Sequence, residues 1–223
     1  MAEVPPSVGQ LAVAGVTETP VFEAARRNAQ VARALKRAYE FFTKKLKDPR
    51  AVQEAMDRLM PDLDGNGYAR ADPVAHALLP KVEPKRALLR AAEARIRPQA
   101  LLATNTSSIP LEELASALKD PSRLVGLHFF NPVAQMQLIE IVRGAQTSTQ
   151  TLNRARAFTV ALERLPLEVK SSPGFLVNRI LMPYLLEAMV MIDEGIPIAA
   201  VDRAAVEFGM PMGPILLADT VGL

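Results

Sequence analysis

The chain has 223 residues, of which 49% are hydrophobic, and its 26 Lys and Arg against 24 Asp and Glu give a formal net charge of +2. This length and composition suit one or two globular domains with a sizeable core, and they exclude disordered, collagen-like and disulfide-scaffold proteins. The sequence contains no Cys, so no disulfide, thiolate nucleophile or Cys-ligated zinc site is available. No stretch reaches the roughly 20 apolar residues of a membrane span, and the first residues lack the pattern of a signal peptide. We therefore expect a cytoplasmic protein with no membrane partner.

The first third of the chain is predicted to be helical and basic. Residues 26–50 carry nine basic and two acidic side chains. An apolar stripe recurs at helical spacing and consists of Val31, Leu35, Tyr39, Phe42 and Leu46. The stripe predicts one helix over 23–46 with most charges in solvent, and Asp48-Pro49 predicts the start of a second helix that ends near Met60. Aromatic residues do not alternate with the charges in a readable nucleic-acid-binding module, so we expect no nucleic acid partner.

Residues 62–67 match the first half of an EF-hand calcium loop, with acidic or amide side chains at alternate positions and Gly67 at the turn. The twelfth position, which requires a bidentate Glu, is Pro73, and the ninth is Arg70. We therefore predict a polar turn and no metal site, followed by a possible strand near Val74.

From residue 84 onward, predicted strands alternate with predicted helices. In chain order these are helix 84–96, strand 100–104, helix 110–118, strand 123–130, strand 137–142, helix 149–163 and strand 167–170. The alternation predicts an α/β fold with an incomplete Rossmann-like parallel sheet. Beyond residue 172 the pattern is only helical, over 175–194 and 198–208. We predict two domains, 1–172 and 173–223, the second being the start of an all-α domain.

Polar side chains follow two of the predicted strands directly. Asn105 to Ser108 come after one strand and His128 to Pro132 come at the end of another, while Glu140 lies within the next strand. Ligands bind at the carboxyl ends of parallel strands, and a histidine held by a carboxylate can act there as a general base. Periodicity alone leaves a second interpretation open, in which the histidine bonds to the backbone and the glutamate lies at the surface.

Several short motifs occur in one order along the chain. They are Asn105-Thr-Ser-Ser, Gly126-Leu-His-Phe-Phe-Asn-Pro-Val133, Leu138-Ile-Glu-Ile-Val142, Ser172-Pro-Gly-Phe-Leu-Val-Asn-Arg179, Pro183-Tyr-Leu-x-Glu-Ala188 and Pro211-Met-Gly-Pro214. From about Lys85 to the last residue, the chain resembles the L-3-hydroxyacyl-CoA dehydrogenase family of fatty acid β-oxidation. The resemblance implies oxidation of the 3-hydroxyl of an acyl-CoA thioester, with NAD as the cofactor.

The resemblance also implies roles for individual residues. His128 would take the hydroxyl proton as the general base, and Glu140 would orient its imidazole and stabilise its charge. Ser107 and Asn178 would hold the substrate hydroxyl or the thioester carbonyl.

Two further residues are implied on the cofactor side. Asn105 would face the nicotinamide amide, and Lys85 matches a family lysine near the bound ligands. The helical segment after residue 173 resembles the start of the domain that closes the acyl-CoA cleft and forms a homodimer, and its helices over 175–208 predict self-association.

The chain departs from the family pattern where the dinucleotide binds. With a strand over 10–16, the three positions of the glycine-rich loop are Gly15, Thr17 and Pro20, and Pro80 occupies the place of a cofactor-side glutamate. We therefore expect a chain that lacks the first βαβ unit and most of the helical domain. Two alternatives stay open: a non-catalytic remnant that keeps an oligomerisation surface, and a related dehydrogenase of free 3-hydroxy acids.

Overall fold

The computed structural model describes residues 20–62, 64–76, 81–107 and 109–221. They form two compact units divided between Ser172 and Pro173. The first unit contains a five-stranded sheet with helices, and the second contains helices only. No helix in the described ranges is long and apolar enough to cross a membrane.

The sheet is mixed, although three of its strands are parallel neighbours. The strands are β1 (Pro73–His76), β2 (Leu101–Thr104), β3 (Leu124–Phe129), β4 (Leu138–Arg143) and β5 (Leu165–Lys170), and they lie in the order β1-β2-β3-β4-β5. β1, β2 and β3 are parallel, whereas β4 is antiparallel to β3, and β5 is parallel to β4. The predicted α/β fold with a Rossmann-like sheet is confirmed, and the pairing of β4 with β3 is the one antiparallel pairing among the described strands. The loop 130–137 has no helix, and a parallel return needs a crossover of about a dozen residues or more.

Eight α-helices lie in the described ranges. They are α1 (Pro20–Leu46), α2 (Pro49–Asp57), α3 (Val82–Glu93), α4 (Leu111–Ala115), α5 (Thr149–Ala161), α6 (Val177–Asp193), α7 (Ile198–Phe208) and α8 (Pro214–Val221). The predicted helices are present with ends shifted by a few residues, but α8 was not predicted. Its first turn is capped from another helix, because the carboxylate of Asp202 accepts from the N–H groups of Ile215 and Leu216 at 2.9 and 3.3 Å.

Helix α5 covers one face of the sheet with an apolar core. Alternate residues of the strands point to this face and pack with α5; the cluster consists of Leu101, Ala103, Val125, Leu127, Ile139, Ile141, Leu152 and Ala155. Because successive strand residues face opposite ways, the residues between them point to the other face, where α3 and α4 contact β1 and β3. That second face carries the polar residues described below.

The basic first helix packs against α2. The Asp48 carboxylate caps α2 by accepting from the Arg50 N–H at 3.0 Å, as its sequence predicts. Within the apolar stripe of α1, Tyr39 and Leu46 are exposed, and the other three members are half-buried.

The predicted strand over 10–16 and its glycine positions at Gly15 and Thr17 lie outside the described residues, as does Pro80.

The acidic segment at 62–67 forms a turn. The Asp62 carboxylate accepts from the backbone N–H groups of Asn66 and Gly67, at 2.9 and 2.6 Å, and Gly65 adopts a left-handed conformation with φ of 73°. The carboxylate is thus engaged by backbone donors, an arrangement that stabilises a turn. Within the described ranges, no group of three or more acidic or histidine side chains is arranged to hold a metal ion.

Candidate active site

The antiparallel pairing of β3 and β4 places His128 directly opposite Glu140. Leu127 and Ile141 point to the α5 face, so the alternation of strand residues sends His128 and Glu140 to the other face together. Directly opposed side chains in an antiparallel pair lie within contact distance. The register therefore brings together two polar residues that are twelve positions apart in the sequence.

The two side chains form a buried contact. His128 Nδ1 lies 2.8 Å from Glu140 Oε2, and the exposed fractions of the two side chains are 8% and 0%. A buried carboxylate is costly unless it is paired and hydrogen-bonded. The favourable arrangement is for Nδ1–H to donate to Glu140, so that the lone pair of a neutral imidazole is on Nε2. The pair can thus accept a proton at Nε2 while the carboxylate stabilises the resulting positive charge.

Two neighbouring contacts limit the movement of the histidine. The Phe130 ring packs edge-on against the imidazole, with the ring centroids 4.7 Å apart. The Asn105 side-chain oxygen accepts from the Phe129 N–H at 3.0 Å, which joins the loop after β2 to the end of β3. These contacts fix the end of β3, where His128 lies, relative to the loop that follows β2.

Two of the other buried polar groups in the same unit lie where a ligand could reach the sheet. Lys85, in the first turn of α3, is 2% exposed, and burial lowers the pKa of its ammonium group. Thr104, the last residue of β2, is fully buried, and its hydroxyl has no hydrogen-bond partner within the described parts of the chain. Because α3 follows β1 and returns to the start of β2, its first turn lies toward the carboxyl ends of the parallel strands. Both groups are therefore suited to a polar ligand at this edge.

Replacing Lys85 by Met should make the protein more stable near neutral pH and remove part of its pH dependence. A buried ammonium group is destabilising, so we expect Lys85→Met to raise the free energy of unfolding by at least about 1 kcal/mol at pH 7. Because the pKa of Lys85 is lowered in the folded state, the unfolded state binds more protons than the folded state at a pH just below 10.5, the usual pKa of lysine. The stability of the parent protein should therefore rise with pH in that range, and that of Lys85→Met should rise less. Urea unfolding at pH 7 to 10 measures both, and identical pH profiles would contradict the prediction.

Two other predicted site residues lie on other elements of the chain. Ser107 is exposed on the loop after β2. Asn178 is half-buried in the first turn of α6 and belongs to the second unit. The structure therefore brings His128 and Glu140 together and connects Asn105 to β3. Sequence reasoning did not identify Thr104; the only signal was a hydroxyl residue at the end of a buried apolar strand.

Models of one protein family match both units of the chain. Residues 9–172 match the model of the 3-hydroxyacyl-CoA dehydrogenase NAD binding domain, and residues 174–223 match the model of the 3-hydroxyacyl-CoA dehydrogenase C-terminal domain.

Three solved structures are similar over 96% of this chain. M. tuberculosis FadB2 is 30% identical with a TM-score of 0.81, and the match covers 83% of that protein. The 3-hydroxybutyryl-CoA dehydrogenase from Escherichia coli K12 is 31% identical with a TM-score of 0.84, and the match covers 50% of it. The (S)-3-hydroxybutyryl-CoA dehydrogenase PaaH1 from Ralstonia eutropha is 29% identical with a TM-score of 0.79, and 83% of it is covered.

Proposed function

This chain belongs to the 3-hydroxyacyl-CoA dehydrogenase family, and we propose that it oxidises L-3-hydroxyacyl-CoA to 3-oxoacyl-CoA with NAD. The family is one of oxidoreductases that bind NAD. The observation that carries the proposal is the buried contact of 2.8 Å between His128 Nδ1 and Glu140 Oε2. A histidine held in this way has the orientation and the charge partner that a general base needs.

In the proposed reaction, His128 Nε2 accepts the proton of the substrate 3-hydroxyl. The substrate would lose the hydrogen of C3 as hydride while the carbon–oxygen double bond forms, and acceptance of that hydride is the chemistry that NAD would supply when bound. Glu140 stabilises the imidazolium that results, and it keeps the ring in the tautomer that presents Nε2. The edge-on packing of Phe130 restricts the imidazole before it reacts, so less orientational freedom is lost in the reaction.

Ser107 and Asn178 are proposed to bind the substrate oxygen atoms. A hydroxyl and an amide can donate to the 3-hydroxyl oxygen or to the thioester carbonyl without adding a charge to the site. Ser107 is exposed on its loop and is thus accessible to a ligand. The proposal requires residues from both parts of the chain, with 1–172 as the NAD-binding domain and 173–223 as a helical domain for substrate binding and dimerisation.

The polar groups of the first unit are consistent with NAD. The buried hydroxyl of Thr104 and the buried ammonium of Lys85 both favour a polar ligand, and Asn105 keeps its amide hydrogens for donation because its oxygen already accepts from Phe129. We propose that Asn105 binds the nicotinamide amide and that Lys85 lies beside the bound ligands. NAD supplies the hydride acceptor when it is bound.

We also propose that the chain forms a homodimer or a larger assembly through its second unit. Helices α6, α7 and α8 carry large exposed apolar side chains, among them Ile180 at 65%, Leu186 at 57% and Phe208 at 89% exposure. Large exposed apolar side chains on several helices of one unit are a feature of protein interfaces when they lie together. Sedimentation velocity over a range of concentrations measures the assembly, and a monomer at all concentrations would contradict it.

A comparison of acetoacetyl-CoA with acetoacetate tests the proposed activity. With NADH as reductant, we expect the purified protein to reduce acetoacetyl-CoA and to be at least about 100-fold less active on free acetoacetate, because a missing set of binding contacts lowers transition-state stabilisation. The measurement is the initial rate of NADH oxidation, followed by the absorbance of the reduced nicotinamide. Preference for acetoacetate would indicate a dehydrogenase of free hydroxy acids, and inactivity on both would favour a non-catalytic protein.

A further inference from the structure

Helix α1 has two sides of different character. Because α1 packs against α2, its half-buried side faces that helix; this side consists of Val31, Leu35, Ala38 and Phe42. A second row of residues recurs at the same helical spacing, about 140° around the axis. It consists of Arg33, Arg37, Phe41 and Lys44, all of which are exposed. We call this second row the basic ridge.

The three cations of the basic ridge have no acidic partner among the residues that the structure describes. The ion pair on α1 joins Lys36 Nζ to Glu40 Oε1 at 3.9 Å, and neither residue belongs to the ridge. Arg33 and Lys44 are eleven positions apart, which corresponds to about 16 Å along the helix axis. An anionic partner would therefore meet a line of positive charge without having to break an ion pair first.

One aromatic ring lies within this row of cations. Phe41 is 41% exposed, and its ring packs edge-on against Phe42 with the ring centroids 5.7 Å apart. Phe42 belongs to the half-buried side of α1, so it holds the exposed ring in place from the interior. Helices that lie on a lipid bilayer combine Lys and Arg with large apolar side chains that enter the headgroup region. The basic ridge contains both components.

The shape of the basic ridge distinguishes between anionic partners. Small ligands bind in concave sites, and single-stranded nucleic acids follow positively charged grooves with several stacking rings. The ridge is convex, because it is the exposed side of a single helix, and it contains one ring. A flat anionic surface can contact all of its members at once. The charges and the shape therefore favour a lipid surface.

We propose that the basic ridge of α1 binds the surface of membranes that contain anionic phospholipids. The phosphate groups of the lipids accept hydrogen bonds from the two guanidinium groups and the ammonium group, and the Phe41 ring lies between the headgroups. This contact is peripheral, so it needs none of the long apolar segments that a membrane span requires. Each Lys or Arg beside an anionic bilayer contributes about fivefold in binding. The inference is independent of the proposed function.

Flotation of the full chain with lipid vesicles tests the proposal. Vesicles of phosphatidylcholine alone are compared with vesicles of phosphatidylcholine and phosphatidylglycerol. We expect binding to the anionic vesicles at about 0.1 M salt and its loss at about 1 M salt, because the screening length falls from about 10 Å to about 3 Å. The combined variant Arg33→Gln, Arg37→Gln and Lys44→Gln should bind the anionic vesicles about 100-fold more weakly.

A control variant removes the same number of charges elsewhere in the first unit. It replaces by Gln three basic residues that are exposed and lie outside α1, namely Arg90, Lys119 and Lys170. Their charges are separated from the ridge by solvent and screened by salt, so this variant should bind within about threefold of the parent. Phe41→Ser should weaken binding about fivefold at every salt concentration, because burial of the ring does not depend on charge. Urea unfolding should give the parent stability in all of these variants.

Four results would overturn the proposal. They are equal binding to neutral and anionic vesicles, no binding to either at low salt, parent affinity in the triple variant of the ridge, and an equal loss of affinity in the control variant. Duplex DNA is then added as a competitor. If DNA removes the protein from the vesicles at a lower phosphate concentration than the vesicles themselves present, the ridge is a nucleic-acid site and the lipid proposal is wrong.

Discussion

We expect His128→Asn to lower kcat by about 10² to 10⁴ in the reduction of acetoacetyl-CoA, because asparagine cannot supply the proton that the developing hydroxyl requires. Reduction uses the same residue as oxidation, with His128 donating the proton instead of accepting it. The amide of Asn can replace the hydrogen bond from Nδ1 to Glu140 Oε2, so the buried carboxylate keeps a partner and the fold should be retained. NADH affinity, measured by fluorescence, should therefore stay at the parent value while kcat falls.

A second variant separates the histidine from its carboxylate partner. Glu140→Gln preserves the size of the side chain but removes the charge that favours the imidazolium and the correct tautomer, and we expect a loss of about 10²-fold or more in kcat. Glu168→Gln on β5 is the matched control. Its carboxylate is partly exposed and pairs with Arg156 and Arg143 at 3.3 and 3.9 Å, and such surface pairs contribute only about 0 to 1 kcal/mol. Parent kcat in Glu140→Gln would show that the buried pair is structural.

The sequence is sufficient to predict most elements of the first unit, because its strands and helices follow from local patterns of apolar and polar residues. It could not supply the register that brings His128 and Glu140 into contact. Register depends on how β3 and β4 pair, and a shift of one residue would send Glu140 to the apolar face covered by α5. The resemblance to a known family indicated the two residues, and the antiparallel return of β4 is the physical arrangement that places them opposite each other.

The features that the sequence did not reveal depend on distant partners. Asp202 caps α8 from another helix, so the apolar run after Pro214 carried no local capping signal. Glu112 and Ser171 are 59 positions apart, and neither has a pattern that predicts their contact. The burial of Lys85 likewise follows from the packing of α3, because a lysine in a first helical turn is ordinarily exposed. Long-range packing, rather than local propensity, decides each of these features.

Gly126→Ala should destabilise the protein by about 2 to 3 kcal/mol, because overpacking of a close contact forces a shift of the backbone. Gly126 pairs with Val142 across β3 and β4, and a Cβ added at Gly126 would lie 2.6 Å from Val142 Cβ and 2.9 Å from Val142 Cγ2. Val142 Cβ cannot move away without a change in the strands themselves, because its position follows that of the backbone. The strands would have to separate beside His128 and Glu140, which lie two residues along. We therefore expect kcat to fall together with the free energy of unfolding.

The compensating change is Val142→Gly, which removes the Cβ that the new methyl group meets. In a double-mutant cycle, Gly126→Ala with Val142→Gly should be about 1 to 2 kcal/mol more stable than the sum of the two single changes predicts. Gly144→Ala is the control, since its added Cβ would come no closer than 3.2 Å to Leu111 Cβ, and it should cost less than Gly126→Ala. Urea unfolding gives the stabilities, and kcat for acetoacetyl-CoA should recover in the double variant. The contrary result is a double variant whose change in the free energy of unfolding equals the sum of the two single changes. The contact between residues 126 and 142 would then not determine the spacing of β3 and β4 beside His128 and Glu140.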